Sequence, residues 1–225
     1  GVEYKDLKIT TNDNVFSTFF DTSEYKIEDG GFYSLFGSLK IDTIDNKFFP
    51  TKGFIFEGSF KFYFGSSNFR DDFNELSVVK TQISKAFKID NKLALNISTE
   101  GGFKIGNNDT KALLFGLGGY GSNYFNNYTT LYGYNYFSLS GNSFVKVAST
   151  LDYEFIHNHH LNFSANFANI GDDIFLRSDW IDSLFYGGYS VGYGLETVFG
   201  PIEVKYNWSG NSNESGFYVN VGYWF

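Results

Sequence analysis

Apolar residues recur at every second position through most of this 225-residue chain. The clearest run is FIFEGSFKFYF, residues 54–64. Phe54, Phe56, Gly58, Phe60, Phe62 and Phe64 share one face; Ile55, Glu57, Ser59, Lys61 and Tyr63 share the other. Period two over eleven residues, with charge confined to one face, predicts a β-strand. A soluble sandwich strand is nearer about six residues, whereas a tilted strand crossing a bilayer needs about 9–11. The pattern repeats. Residues 93–105 set Leu93, Leu95, Ile97, Phe103 and Ile105 against Asn96, Ser98, Glu100 and Lys104. Residues 143–155 set Val145, Val147, Leu151, Tyr153 and Phe155 against Lys146, Thr150, Asp152 and Glu154. Residues 160–169, 190–199 and 201–208 alternate in the same way, and 31–43 and 76–90 are further candidates. Residues 2–10 carry the weakest alternation. The chain ends on SGFYVNVGYWF, with Phe217, Val219, Val221, Tyr223 and Phe225 in one row. That makes ten predicted strands, an even number.

The connections sort by length. Those at 90–91, 156–159 and 200–201 are short, and 44–53 is slightly longer. Those at 11–30, 65–75, 107–142, 170–189 and 209–215 are long, and the two kinds alternate. An up-and-down outer-membrane barrel has this layout, with short periplasmic turns and long outer loops. Period two alone also fits a soluble barrel of lipocalin type, whose apolar face points inward. Strand length and the aromatic terminal row favour the inverted arrangement, with the apolar face toward lipid. The expected fold is therefore all-β: a transmembrane antiparallel up-and-down barrel, with 1–225 as a single domain. Phe225 falls on the periplasmic side. A row running to the last residue is expected of a native C-terminus, and a start at Gly1 without Met of processing or excision.

Composition sharpens this picture. Aromatic residues make up 21% of the chain, yet the hydrophobic total is 42% and the mean hydropathy −0.22. The apolar character sits in rings, which form strands well and suit a membrane interface. There is no Cys, hence no disulfide or thiolate metal site. A net charge of −8 without a basic stripe argues against nucleic acid as a partner. No run approaches 18 apolar residues, so no transmembrane helix is expected.

Five features could carry chemistry. GYSVG, residues 188–192, matches G-x-S-x-G, but a hydrolase needs that Ser on a strand-to-helix elbow, and here the strand pattern runs on. EDGG supplies Asp29 as an acidic partner without the α/β context. HNHH, residues 157–160, gathers all three His; with no carboxylate shell evident nearby in sequence, a solvated turn is expected rather than a metal site. The polar strand faces carry Glu57, Lys61, Lys80, Lys88, Glu100, Lys104, Lys146, Asp152, Glu154, Glu203 and Lys205. An ion-selective pore favours rings of one sign. The mixed signs predict a lumen knitted by ion pairs and hydrogen bonds. The loop 107–142 is rich in Gly, Tyr and Asn and nearly uncharged. Its ring content argues against disorder, and it is expected to fold into the lumen or pack at its mouth.

Several stretches resemble one family. DTIDNKFFPTKG (42–53) is similar to the strand-turn-strand signature of the bacterial surface-antigen barrels, which include outer-membrane assembly and two-partner-secretion barrels. FGLGGYGSN followed by LYGY resembles their lumen-folding loop, which gives Gly118, Gly119, Tyr132, Gly133 and Tyr134 a role there. GYGLETVFGPIEVKYNW resembles their penultimate hairpin, and FYVNVGYWF their final strand. The combination of LYGY, NFANIGDDIF and NVGYWF most resembles the C-terminal barrel of patatin-like phospholipase autotransporters of Bacteroidetes type. The resemblance runs from about residue 31 to 225.

It implies an outer-membrane location in a Gram-negative bacterium, a sixteen-stranded barrel, and a patatin lipase with a small linker domain attached at the N-terminus. Ten strands then form its last part; alternatively they close on their own or with a second copy as a homodimer. The lipase motifs are not in this chain. The implied work is mechanical: to anchor in lipid and to pass or display the lipase, with no catalytic residue and no cofactor. It also implies that the assembly machinery reads Phe217, Val219, Val221, Tyr223 and Phe225. One departure stands out. The family's loop usually carries an Arg-Gly pair reaching into the lumen, and Tyr132-Gly133 occupies that place, which bears on any translocation relying on the Arg. The alternatives are a small standalone porin or structural barrel, and an enzyme using the barrel as scaffold, for which no Ser–His pair on one strand face offers support.

Overall fold

The computed structural model describes residues 1–8, 29–67, 73–106, 113–121, 127–176 and 185–222. Among these residues ten strands form one antiparallel sheet. They are β1 (Val2–Lys8), β2 (Asp29–Asp42), β3 (Gly53–Ser66), β4 (Leu76–Asp90), β5 (Leu93–Ile105), β9 (Ser143–Ile156), β10 (His159–Gly171), β11 (Tyr186–Thr197), β12 (Gly200–Trp208) and β13 (Ser215–Val221). Each pairs with its neighbour in chain order, and β5 pairs with β9 across the longest connection. The strand positions match the alternation closely. β11 begins earlier than the pattern suggests, at Tyr186 rather than Ser190, because Gly187 interrupts the apolar row without interrupting the pairing. Short turns need backbone that few residues adopt: Asn158 lies at φ 65° in the β9–β10 turn, where the left-handed conformation suits Asn.

Among the described residues, β1 and β13 are each hydrogen-bonded on one side only, so the sheet is open, an arc of barrel wall rather than a closed cylinder. No helix of the described residues is long and apolar enough to cross a membrane, which says nothing of strands.

The two faces of the arc are inverted relative to a soluble protein. On the outer face Phe163 is 60% exposed, Val219 62% and Phe217 79%. Phe60, Ile97, Leu161, Tyr206 and Trp208 are exposed beside them. On the inner face Asn166 is 0% exposed, and Lys146, Asp152, Asn162, Ser164 and Glu203 are buried. Charges are few on this face, Lys85 of β4 and Asp6 of β1 among them; so largely apolar an exterior with polar groups inside is stable only where the surrounding solvent is hydrocarbon.

The inner face is not uniformly polar. Toward the ends that carry the long connections, Phe32, Tyr63, Leu76, Val78, Phe144, Ala168 and Ile170 form an apolar cluster. Leu113, Phe115, Leu117, Leu131 and Tyr134 complete it from within the 113–141 segment. That segment also holds a second sheet that the alternation does not foretell. β6 (Phe115–Leu117) pairs parallel with β7 (Tyr128–Thr129) and antiparallel with β8 (Leu139–Gly141). Burying each ring or Leu there contributes about 1.5–3 kcal/mol, which holds these very short strands in place.

The turn joining β2 to β3 is built around Asp45. Its carboxylate accepts hydrogen bonds from the backbone N–H groups of Thr51 (3.0 Å) and Lys52 (3.1 Å) and from the Thr51 hydroxyl (2.6 Å). Burial pushes the Asp45 pKa up, but these bonds outweigh it and hold the carboxyl below the usual aspartate value. A depressed folded-state pKa means the carboxylate's contribution is present above the ordinary value of about 3.9 and is lost as pH falls through the lower folded value. Amide chemical shifts of Thr51 and Lys52 should therefore move only on the acid side of the ordinary aspartate range, and Asp45→Asn should remove that transition.

Candidate functional site

The candidate functional feature of this fold is its concave face and the segment seated in it. Residues 113–121 and 127–141 rest against β5 and β9–β12, and glycines on the wall make the approach possible. At Gly188 a side chain would put its Cβ 1.7 Å from the Tyr132 carbonyl oxygen, and at Gly102 it would come 2.7 Å from the Phe115 ring. Phe115 packs on Phe144, ring centres 4.9 Å apart. This accounts for the GYSVG match. β11 runs straight through Ser190 in register with Ser164 and Asn207, without an elbow, and Gly188 serves the packing of the inserted segment. Gly188→Ala should lower unfolding free energy by about 1–3 kcal/mol, read from denaturant unfolding in detergent, and raise protease cleavage within 113–141.

Polar contacts moor the segment. Thr129 donates its hydroxyl to Glu100 (3.2 Å), which pairs with Lys146 at 2.9 Å; both charged side chains are nearly buried. Lys80 donates to the Tyr128 carbonyl (3.0 Å). Asn166, with its amide assigned to match its neighbours, donates to the Gly188 carbonyl (2.9 Å) and accepts from the Tyr132 N–H (2.8 Å).

The five loop residues singled out by resemblance come together here. Gly118 (φ 139°) and Gly119 (φ 63°) turn the chain after β6, and the Gly119 N–H donates to the Tyr134 carbonyl at 2.6 Å. Tyr132 stacks on Tyr120, centres 5.0 Å apart. Tyr120 in turn packs on Tyr218 of β13 at 4.1 Å and lies under the Lys205 ammonium, 5.0 Å from the ring centre. Gly133 (φ 77°) donates to Asn207 (3.2 Å), and Ser209 bonds the Tyr134 hydroxyl (3.0 Å). Where the resembled family has an Arg on the loop, this wall supplies the cation, Lys205, to a tyrosine cluster.

The predicted lumen charges all lie on strands with inward alternation. Glu57 pairs with Lys40, Lys61 with Glu3 (2.6 Å) and Lys205 with Glu203 (2.7 Å). Glu154 accepts from the Asn158 N–H (3.0 Å) at the turn, and Lys104 is half-buried near the far end of β5. Lys88 is exposed at the turn end of β4. Charges of both signs line two cavities. One, of about 530 Å³, is bounded by Glu3, Lys40, Glu57, Lys61 and Lys80; the other, of about 440 Å³, by Lys47, Glu100, Glu203 and tyrosines 120, 132 and 218. Among the described residues no ring of one sign forms.

The histidine expectation needs correction. His157 lies in a solvated turn, but His160 is buried, with Nδ1 2.8 Å from the Asp152 carboxylate. The hairpin register brings the carboxylate to it from eight residues away, a partner that sequence proximity hides. Among the described residues no group of three or more His, Cys, Asp or Glu could hold a metal ion. His160 also stacks on Phe49 of the β2–β3 turn, a long-range contact with no sequence signal beyond a Phe pair in a polar turn. In the terminal row, Phe217, Val219 and Val221 are exposed on the outer face; Tyr223 and Phe225 lie outside the described residues.

Among solved structures, the chain resembles BamA from Haemophilus ducreyi lacking POTRA domains 1–3, with a TM-score of 0.65 at 15% identity. The match covers 98% of this chain and 49% of that one, so the chain spans about half of its length. At that identity the likeness concerns the fold alone. No curated protein matches. The inverted wall and its inserted segment agree with the family model that matches residues 1–225 from end to end: this chain belongs to the OMP85 superfamily of outer-membrane β-barrels.

Proposed function

We propose that these ten strands are the C-terminal part of a wider outer-membrane barrel that anchors, and passes or displays, an attached patatin-like lipase domain. The inner sheet carries the argument for a wider barrel. Ten strands about 4.8 Å apart and tilted about 40° close to a radius of about 10 Å, much of it taken by inward side chains. The backbone of three paired strands alone is about 10 Å across before its own side chains are counted. Sixteen strands give a radius of about 16 Å, which accommodates β6–β8. The open edges of β1 and β13 point the same way, because unpaired backbone groups are not tolerated facing lipid.

The lipase is supported by the resemblance of LYGY, NFANIGDDIF and NVGYWF. In this reading the chain itself does no bond chemistry; it holds the barrel in outer-membrane lipid, and its terminal row meets the assembly machinery. Expression of the full-length natural protein in a Gram-negative host tests this. Expected are ester hydrolysis at the cell surface that survives Ser190→Ala, and one chain per barrel by native mass. Loss of hydrolysis with Ser190→Ala would overturn the mechanical role, and two chains per barrel would replace the sixteen-stranded closure by a homodimer. Steady large conductance in planar bilayers would favour a porin.

A further inference from the structure

We propose that the turn joining β2 and β3 is a latch that reaches across the concave face and closes the lumen at its periplasmic end. The inference needs only the barrel, not the lipase. In sheet order β4, β5 and β9 separate β3 from β10, yet the turn touches β10 and β11. It spans a chord of the barrel rather than lying on its neighbours.

Three observations make this a built contact. First, the turn is preformed. Asp45 gathers Thr51 and Lys52, and the Asn46 side-chain oxygen accepts from the backbone N–H groups of Phe48 (2.9 Å) and Phe49 (3.1 Å). Second, its tip is anchored on the far wall. Phe49 is 2% exposed, and its ring lies flat on His160, centres 3.9 Å apart and planes 11° from parallel. The Asn46 amide donates to the Glu196 carboxylate of β11. Third, the far wall is shaped to receive it. Gly194 lies beneath the ring, where a Cβ would come within 2.5 Å of Phe49. Asp152 holds His160 on one oxygen and Asn162 on the other, each at 2.8 Å.

A cavity of about 180 Å³ lies behind the tip, bounded by Phe49, Pro50, Asp152, Asn162 and Ser164. Gly53, at φ 114° and packed against the Thr43 carbonyl, is the point where the turn leaves β3 and the natural hinge. Entry to that cavity from the short-turn side is expected to require lifting Phe49 off His160. The inserted residues 113–121 and 127–141 carry their apolar cluster toward the long-connection ends, and their Tyr132 meets the turn at this cavity.

The test uses the full-length protein in liposomes, with Ser164→Cys as a reporter behind the latch and a membrane-impermeant maleimide as the probe. Asn46→Cys with Glu196→Cys should cross-link under mild oxidation. Reporter labelling, done after the lock is set, should be slow when oxidised and rise on selective reduction of the lock, which frees the turn to open. Phe49→Ala without the lock should label faster again, by up to roughly tenfold over the reduced pair, the fold-change expected for loss of the Phe49–His160 stack. A pair that does not cross-link, or labelling that is the same before and after release, overturns the proposal. The locked and released states are compared within one folded protein, so a Phe49→Ala variant that fails to fold leaves the test intact.

Discussion

Replacing Glu100 with Leu is expected to destabilise the protein by about 3–5 kcal/mol, the cost of stranding a buried charge. Glu100 lies directly opposite Lys146 in the β5–β9 register, and the two meet at 2.9 Å with both side chains nearly buried. Lys80 sits diagonally across the β4–β5 pair, so removing the carboxylate leaves two cations facing one lumen position. The Thr129 hydroxyl loses its acceptor at the same time, which loosens β7 from the wall. The double replacement Glu100→Leu with Lys146→Leu should recover most of the loss, because no unpaired partner of that pair is left inside. Denaturant unfolding in lipid or detergent of the two single variants and the double closes the cycle. A cost below about 1 kcal/mol for Glu100→Leu would mean that the lumen is wet enough to solvate Lys146 freely.

The second large effect lies on the other face. Phe163 is 60% exposed near the middle of β10, between Leu161 and Ala165 on the outer row. Phe163→Arg should cost about 2–4 kcal/mol, as expected for a cation on a barrel's lipid face at the bilayer midplane. The same change in a soluble barrel would put a charge into water and cost little. A neighbouring inward substitution, Ser164→Ala, should be mild and depth-independent, since it removes one hydroxyl contact with Thr150. The pair of results therefore reads sidedness directly from stability.

The wall was legible because each of its strands separates two solvents, and period two survives wherever that holds. The inversion was legible too: Glu57 and Lys61 alternate with six positions of mostly Phe, and only length and the terminal row were needed to choose lipid over a core. The inserted sheet was not legible, because β6–β8 are two or three residues each and owe their existence to Phe144, Ile170 and the glycines that receive them. Nor was the β2–β3 turn's reach. Phe49 reads as one more ring in FFP, and nothing local says that it will cross to His160. His160 itself illustrates the gap. A residue adjacent to a tight turn looked solvated, but strand pairing placed it inward and gave it Asp152. The superfamily could be read from motif order; the open edges could not, since each strand's own pattern is the same whether or not its neighbour is present.

The central claim is that the apolar face meets lipid and the polar face lines the interior. The direct measurement is a nitroxide scan of β10 from Leu161 to Phe167 in the reconstituted protein, with relaxation read against oxygen, which partitions into lipid, and against a water-soluble nickel chelate. The account predicts period two with a fixed phase: labels at 161, 163, 165 and 167 are oxygen-accessible and shielded from nickel, while labels at 162, 164 and 166 are the reverse or shielded from both. Nickel access at the odd positions, or the opposite phase, would contradict it.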